Sequence, residues 1–145
     1  MGGLGQDSCR AVLNLLFGYP GEYQSVNVAS DLWVVLCSQA PSPMDDITSI
    51  ASKEVVYEGY GRALIDNRLD YGWENATEDT PSVKANKQIV EFPPCTGGSA
   101  VARYFALFAV GGEKMEAWGV LDTELVITDG VVPTFGAGDL RITLE

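Results

Sequence analysis

Residues 102–145, the last third of the chain, constrain the fold more than any other part of the sequence. The segment from Val101 to Val110 is mostly apolar and aromatic, and Gly111-Gly112 follows it as a hairpin turn signal. Two further strands are predicted, at 116–121 and at 124–128. A chain built from short strands and tight turns in this way is typical of an all-β structure.

The closing residues alternate between apolar and polar side chains after a second hairpin signal at Asp129-Gly130. The apolar set is Leu140, Ile142 and Leu144, and the polar set is Asp139, Arg141, Thr143 and Glu145. Side chains on a strand point alternately to the two faces of its sheet. The pattern therefore predicts an antiparallel strand with one buried face and with Thr143 on the wet face.

Three earlier segments continue the β pattern. Residues 32–37 (LWVVLC) are a continuous apolar run, which predicts a strand buried on both faces. The stretch 55–65 is interrupted by Gly59 and Gly61, which indicates a bulge or a close backbone approach. Residues 89–92 are predicted to form a short strand. We therefore expect an all-β fold, an antiparallel β-sandwich or jelly-roll-like structure.

Residues 1–145 are expected to form a single β-sandwich domain. The length and the 46% apolar content are sufficient for one hydrophobic core. Within it, residues 66–87 are assigned as a long variable loop because they are polar and rich in turn formers, with one strand predicted at 69–73. Loops of this length in a compact domain are usually functional or mobile.

Residues 1–20 are assigned as an N-terminal arm with one short helix. The helix is predicted over 8–17, and its apolar face consists of Cys9, Val12, Leu13 and Leu16. Gly18 and Pro20 end it. The apolar face is expected to dock either on the sheet of its own chain or on a neighbouring subunit.

The chain is strongly acidic, with 20 Asp and Glu against 9 Lys and Arg and a net charge of −11. Such a surface repels nucleic-acid phosphates and anionic membranes, so neither is an expected partner. It can complement a basic patch on another protein. The sequence contains no histidine, the side chain best suited to proton transfer near neutral pH and the commonest metal ligand.

No set of residues has the spacing of a catalytic, metal or cofactor site. The thiols of Cys9, Cys37 and Cys95 are widely spaced and are predicted to be reduced, and they lack the fourth ligand of a zinc site. The acidic doublets Asp45-Asp46 and Glu78-Asp79 are interpreted as solvated loop acids, because adjacent side chains diverge. We therefore expect no enzymatic activity, no cofactor and no metal.

What remains is apolar and aromatic material, most of which is expected to form the core. Tyr and Trp are enriched where subunits meet. The residues expected at an interface are Leu13, Leu16, Phe17, Tyr71 and Trp73. An alternative hypothesis treats the 66–87 loop as a carbohydrate-binding surface or a small glycan-active site built from Tyr71, Trp73, Glu74 and Asp79.

The order of the segments resembles a family of small tailed-bacteriophage virion proteins, variously labelled tail-fibre, tail or head-decoration proteins. The matching segments are LLFG at 15–18, DLWVVLCSQAPSP at 31–43, EVVYEGYGRALI around Gly59, Tyr60 and Arg62, IVEFPPCTGG at 89–98, YFALF, AWGVL and the ending FGAGDLRITLE. Residues 66–87 match no motif of the family. The resemblance implies a β-sandwich subunit without enzymatic activity, displayed on a virion as a homo-oligomer.

From this resemblance we expect a capsid decoration or cement protein. It would be made in the host cytoplasm and assembled into the phage particle, and it would bind the outer shell and bridge neighbouring capsid subunits. Its expected partners are further copies of itself, by analogy as a trimer, and the major capsid protein or another virion protein. The alternative keeps the virion but places the subunit in the tail, as a fibre or adaptor component.

Overall fold

The computed structural model describes residues 2–6, 8, 12–13, 17, 29–68, 71–78 and 82–144. Their strands are β1 Gly2–Leu4, β2 Asp31–Cys37, β3 Ala63–Asp66, β4 Ser82–Ala85, β5 Val90–Glu91, β6 Ser99–Ala109, β7 Met115–Thr128, β8 Thr134–Phe135 and β9 Arg141–Leu144. A short 3₁₀-helix occupies Ser49–Ser52. The predicted helix at 8–17 lies largely outside the described residues and stays a prediction.

Seven of these strands form one sheet in the order β3-β2-β6-β7-β1-β9-β4, and β5 and β8 form a second, two-stranded sheet. Neighbouring strands are antiparallel, except that β1 runs parallel to β9. The all-β, antiparallel, sandwich-like prediction is therefore confirmed for the described part of the chain.

Strand β2 has core on both of its faces, as its continuous apolar run predicted. Leu32, Val34 and Leu36 belong to the main core, which lies between the two sheets. Val35 and Cys37 point the other way, into a second cluster. That cluster is closed by Ile50 of the 3₁₀-helix and by Ala106, Phe108 and Met115. The two clusters place β2 and its partner β6 at the centre of the molecule.

The second sheet closes the main core from the opposite side. Phe92 and Phe135 are buried there, with their ring centroids 6.0 Å apart in an edge-to-face arrangement. The predicted strand at 89–92 is present as β5. Gly59 has a φ of +94°, and a Cβ on it would lie 2.8 Å from the carbonyl oxygen of Pro94. The close backbone approach predicted at this glycine is therefore found.

Strand β7 corrects the prediction of two separate strands at 116–121 and 124–128. It is one strand of 14 residues, and the break in its apolar pattern is an irregularity opposite Arg103, where the register with β6 shifts. The turn at Asp129-Gly130 is present, with a φ of +86° at Gly130. It does not form a hairpin, because the next strand, β8, pairs with β5.

Residues 66–87 are not one long loop. The segment Tyr71-Gly72 is a turn, and Trp73 makes only an isolated bridge with Asn86, so the predicted strand at 69–73 is not found in its described residues. A strand occurs instead at β4, which pairs with β9. The polar sequence SVKA concealed it, because it has no apolar alternation.

Strand β9 follows its predicted pattern in part. Leu140, just before it, is fully buried, and Ile142 packs against the main core. Thr143 is also buried, so the prediction that it lies on a wet face was wrong. The face of the large sheet that carries Thr143 is covered at this point, which the alternation alone cannot reveal.

Strand β1 lies inside the large sheet although it has only three residues. It pairs with β7 through Gly2↔Gly119, Gly3↔Trp118 and Leu4↔Ala117, and with β9 at Ile142. The pairing continues one residue further, where the N–H of Gly5 donates to the carbonyl of Glu116 at 2.8 Å. The sequence GGL has no apolar period, so sequence reasoning assigned it only to an arm.

Candidate functional site: exposed apolar surfaces and the polar lock

The five residues predicted at an interface fall into three groups. Leu13 and Phe17 are exposed, Phe17 to 81%. Leu16 lies outside the described residues. Tyr71 is exposed, whereas Trp73 is buried at 4% exposure. Trp73 is therefore a core residue and is withdrawn from the predicted interface.

The environment of Trp73 explains its burial. Its indole N–H donates to the side-chain oxygen of Asn67 at 2.8 Å, so its polar atom is satisfied inside the main core. Sequence reasoning placed it in a loop because its neighbours are polar. The paired aromatic platform of the carbohydrate-binding hypothesis is consequently absent.

Tyr71 forms a small exposed unit with Arg68. The guanidinium carbon of Arg68 lies 4.1 Å from the centroid of the Tyr71 ring, a cation–π distance. The same guanidinium donates to both carboxylate oxygens of Asp66, which holds it in place and lowers the pKa of Asp66 to about 2. One face of Tyr71 is thus occupied within the chain.

The Gly-Tyr-Xaa-Arg segment that contributed to the family resemblance builds a polar lock, defined as Glu54, Tyr60 and Arg62. The Tyr60 hydroxyl donates to Glu54 Oε2 at 2.7 Å and accepts from the backbone N–H of Leu36 at 3.4 Å. Arg62 donates from Nε to the same oxygen at 3.3 Å and forms an ion pair with Oε1. The lock fastens the segment after the 3₁₀-helix to the end of β2.

The phenol of Tyr60 and the nearby thiol of Cys37 are both protonated at neutral pH, so we interpret the polar lock as a structural feature. Burial, followed by the hydrogen bond to Glu54, raises the pKa of the Tyr60 phenol well above its ordinary value. Burial and the negative charges of Glu54 and Asp45 raise the pKa of the Cys37 thiol to about 12. Both groups are protonated at neutral pH, so Cys37 is not a thiolate nucleophile in this environment.

Asp45 and Asp46 both organise the 41–53 loop. The interpretation as a solvated loop acid is confirmed for Asp46, which is exposed, and is wrong for Asp45, whose side chain is mostly buried. Asp45 accepts from Lys53 Nζ and from the backbone N–H of Ser42, both at 2.6 Å. Asp46 accepts from the N–H groups of Thr48 and Ser49 at 2.9 and 2.8 Å. These bonds hold the loop over the second apolar cluster.

A cleft of about 360 Å³ lies between this loop and the turn that joins β6 to β7. It is lined by Gln6, Pro43, Met44, Asp45, Asp46, Glu113, Lys114 and Met115. Two of its acidic residues, Asp45 and Asp46, already accept hydrogen bonds from Lys53 and Ser49 of the 41–53 loop. Within the described residues, no group of three or more acidic or Cys side chains is arranged to hold a metal ion.

The structure adds exposed apolar residues that sequence reasoning did not single out. Val56 is 82% exposed, and Met44 and Ile89 are also prominent at the surface. Val55 and Tyr57, on either side of Val56, are buried in the main core, whereas Val56 faces outward. The sequence predicted a β pattern over 55–65, and side-chain alternation in such a segment is the signal that could have found Val56. Large apolar side chains are therefore exposed at several separate places.

No protein-family model matches the chain, and no curated protein matches it either. Within the described residues, no helix has the length and apolar character that crossing a membrane would require.

Proposed function

We propose that this protein is a non-enzymatic structural subunit of a bacteriophage virion, and specifically a decoration or cement protein on the outer capsid shell. The proposal rests on the ordered segments that resemble small virion proteins. It is supported by the roles those segments play in the fold. Tyr60 and Arg62 act through Glu54 as a lock between elements, which is a structural role.

The structural observation that supports the proposal is the exposure of large apolar side chains on a highly charged chain. Phe17 and Val56 are each more than four-fifths exposed, and the net charge is −11. We expect a partner to cover these residues in the assembly, since aromatic side chains such as Phe17 are enriched in the buried centre of protein interfaces. The acidic charge favours a partner with basic patches.

The test is the copy number of the protein in purified particles of the phage that encodes it, measured by quantitative mass spectrometry against the major capsid protein. A decoration protein is expected at a number comparable with that of the capsomers. A tail-like number would overturn the capsid assignment in favour of the tail, and absence from the particle would overturn both.

A binding experiment tests the capsid contact directly. Purified protein is mixed with expanded capsids that lack it, and sedimented capsids are assayed for bound protein at increasing salt. Binding that weakens with salt is expected, because the contact pairs an acidic surface with basic patches. The variant Phe17→Ser should bind less tightly, whereas Thr128→Asn, an exposed strand position, serves as the matched control.

The tail alternative remains a second candidate, since the family resemblance spans both locations. The carbohydrate-binding hypothesis has lost its main support, because Trp73 is buried and one face of Tyr71 is occupied by Arg68. A glycan array with the purified protein checks this, and a specific sugar signal abolished by Tyr71→Ala would reinstate it.

A further inference from the structure

We propose that residues 125–128 of β7 bind an extended, basic segment of a partner protein, which pairs with their free edge as an additional strand. The owner of that segment would be the capsid protein, and in this respect the inference rests on the proposed function. The contact is confined to one place on the surface, so it can fail while the capsid assignment stands.

The edge of β7 that faces away from β6 is only partly occupied. Strand β1 pairs with it at residues 117–119, and in the described part of the chain no other strand pairs with β7 on that side. Residues 125–128 pair with β6 at 99–102 alone. Backbone groups of an antiparallel strand point alternately to its two sides, so half of these four residues direct their N–H and C=O away from β6. The carbonyl of Thr128 accepts from the N–H of Val131 at 2.9 Å and marks the end of the free edge.

A bulge separates this edge from the part that β1 occupies. The register of β7 with β6 shifts there, so that residues 121–124 lie opposite Arg103 alone. Extra residues on one strand bend it and increase its twist. Residues 125–128 are therefore a distinct pairing surface beyond the bulge, and unpaired strand edges are templates for a strand from another chain.

The side chains along the edge suit an added strand on both of its faces. On the outer face, Val126 is 60% exposed and is the direct partner of Val101, so a third strand would extend an apolar cross-strand pair. On the inner face, Ile127 is fully buried, whereas Leu125 is only partly buried against the main core. An apolar residue of the added strand would cover the rest of Leu125. Residues 125–128 contain neither proline nor lysine, which commonly protect free edges.

The charge around the edge selects a basic occupant. Residues 122–129 include Asp122, Glu124 and Asp129 and contain no Lys or Arg. Arg103 of β6 lies 3.3 Å from Glu124 and pairs with it, and Asp129 is exposed at the following turn. A second copy is a poor occupant, because two such edges would bring like charges together. A segment with an apolar centre flanked by Lys or Arg complements both the strand and its acidic surroundings.

The experiment compares capsid binding by wild type, Val126→Lys and Val110→Lys, using expanded capsids that lack the protein. Val126→Lys places a positive charge on the free edge, where it repels a basic segment and disfavours strand pairing. Val110→Lys is the matched control, since it adds the same charge at an exposed valine just beyond the opposite end of β6. Val126→Lys should raise the Kd about tenfold more than Val110→Lys does.

Hydrogen exchange of the wild-type protein, free and bound to capsids, locates the contact without any substitution. Amides within 125–128 should exchange about tenfold more slowly when bound, because an added strand accepts hydrogen bonds from those that face away from β6. This measurement decides the question if Val126→Lys fails to fold.

Equal binding by the two lysine variants, or unchanged exchange at 125–128 in the bound protein, would overturn the edge contact and leave the capsid assignment intact. Slower exchange at 125–128 with rising concentration of the free protein would show a second copy at the edge and would also overturn it. Failure of the wild-type protein to bind capsids would instead overturn the proposed function and, with it, the identity of the partner.

Discussion

The guanidinium of Arg62 is paired with the carboxylate of Glu54, eight residues earlier in the chain. Both side chains are mostly buried, and Tyr60 donates to the same carboxylate. The polar lock thus joins residues on either side of the Gly59 turn and connects them to β2 through Leu36. Tyr60 and Arg62 both act on the carboxylate of Glu54, so Glu54 is the residue whose loss should matter most.

Replacing Glu54 with Gln should lower the free energy of unfolding by about 2 kcal/mol, because a buried charge-assisted hydrogen bond is lost and Arg62 keeps its charge. Tyr60→Phe should cost about 1 kcal/mol. Urea unfolding followed by tryptophan fluorescence measures both. The control Glu124→Gln breaks an exposed pair with Arg103 and should change stability by less than about 0.5 kcal/mol. Equal effects at Glu54 and Glu124 would contradict the assignment of the lock.

The pairing of Asp45 with Lys53 should give a stability contribution that depends on pH. Burial by itself would raise the pKa of Asp45, but the hydrogen bonds from Lys53 and Ser42 outweigh it and hold that pKa below its ordinary value. The contribution is therefore full above the unfolded pKa of about 3.9 and is lost as the pH falls through the lower folded pKa.

The measurement compares wild type with Asp45→Asn by urea unfolding from about pH 7 down to about pH 2.5, across that window. The difference in unfolding free energy should shrink at the acidic end. Repeating the comparison on a Lys53→Gln background should flatten the pH dependence, because the cation that stabilises the carboxylate is gone. A difference that does not change with pH in wild type would contradict the prediction.

Replacement by alanine should destabilise the protein at one of the two glycines flanking Leu4 and have little effect at the other. Gly5→Ala places a Cβ against the carbonyl oxygen of Met115 and should cost about 3 kcal/mol or displace β1 from the sheet, whereas a Cβ on Gly3 meets nothing within 4 Å. Gly3→Ala is the matched control and should stay within about 0.5 kcal/mol of wild type. Thermal unfolding and hydrogen exchange at Ala117 and Trp118 report the result; similar exchange rates in the two variants would argue against the seating of β1.

Thr143→Asp should destabilise the protein by about 2 kcal/mol or more, because it buries a carboxylate in place of a neutral side chain. The matched control is Thr128→Asp, a threonine that is exposed on β7. Chemical unfolding of the two variants distinguishes a covered from an open sheet face. Equal, small effects would restore the wet face that strand alternation predicts for Thr143.

The parts of the fold that could be predicted from the sequence are those in which a local run of apolar residues indicates burial. The apolar runs of β2 and β6 and the turn at Gly111 were identified, because continuous hydrophobic strands bounded by turn formers have few alternatives. Strands β1 and β4 were not predicted. Their sequences, GGL and SVKA, form strands because of pairing with neighbouring strands and not because of their own side chains.

The candidate site divides in the same way. The exposure of Leu13, Phe17 and Tyr71 agrees with their selection as surface residues, although contact with a partner stays a prediction. Trp73 was misplaced because a polar neighbourhood in sequence concealed a buried position and a partner, Asn67, six residues away. The burial of Thr143 depends on contacts with residues distant in the chain, and the alternation of apolar and polar residues along a strand does not reveal such contacts.

The place of β1 between β7 and β9 also sets an order for folding. Its pairing partners, Ala117 to Gly119 and Ile142, lie in the last third of the chain, far from residues 2–4. Pairing across such a separation must overcome a large loop-closure entropy, whereas β6 and β7 are joined by a short turn. We therefore expect the β6–β7 pairing to form early and β1 to be among the last strands to enter the large sheet.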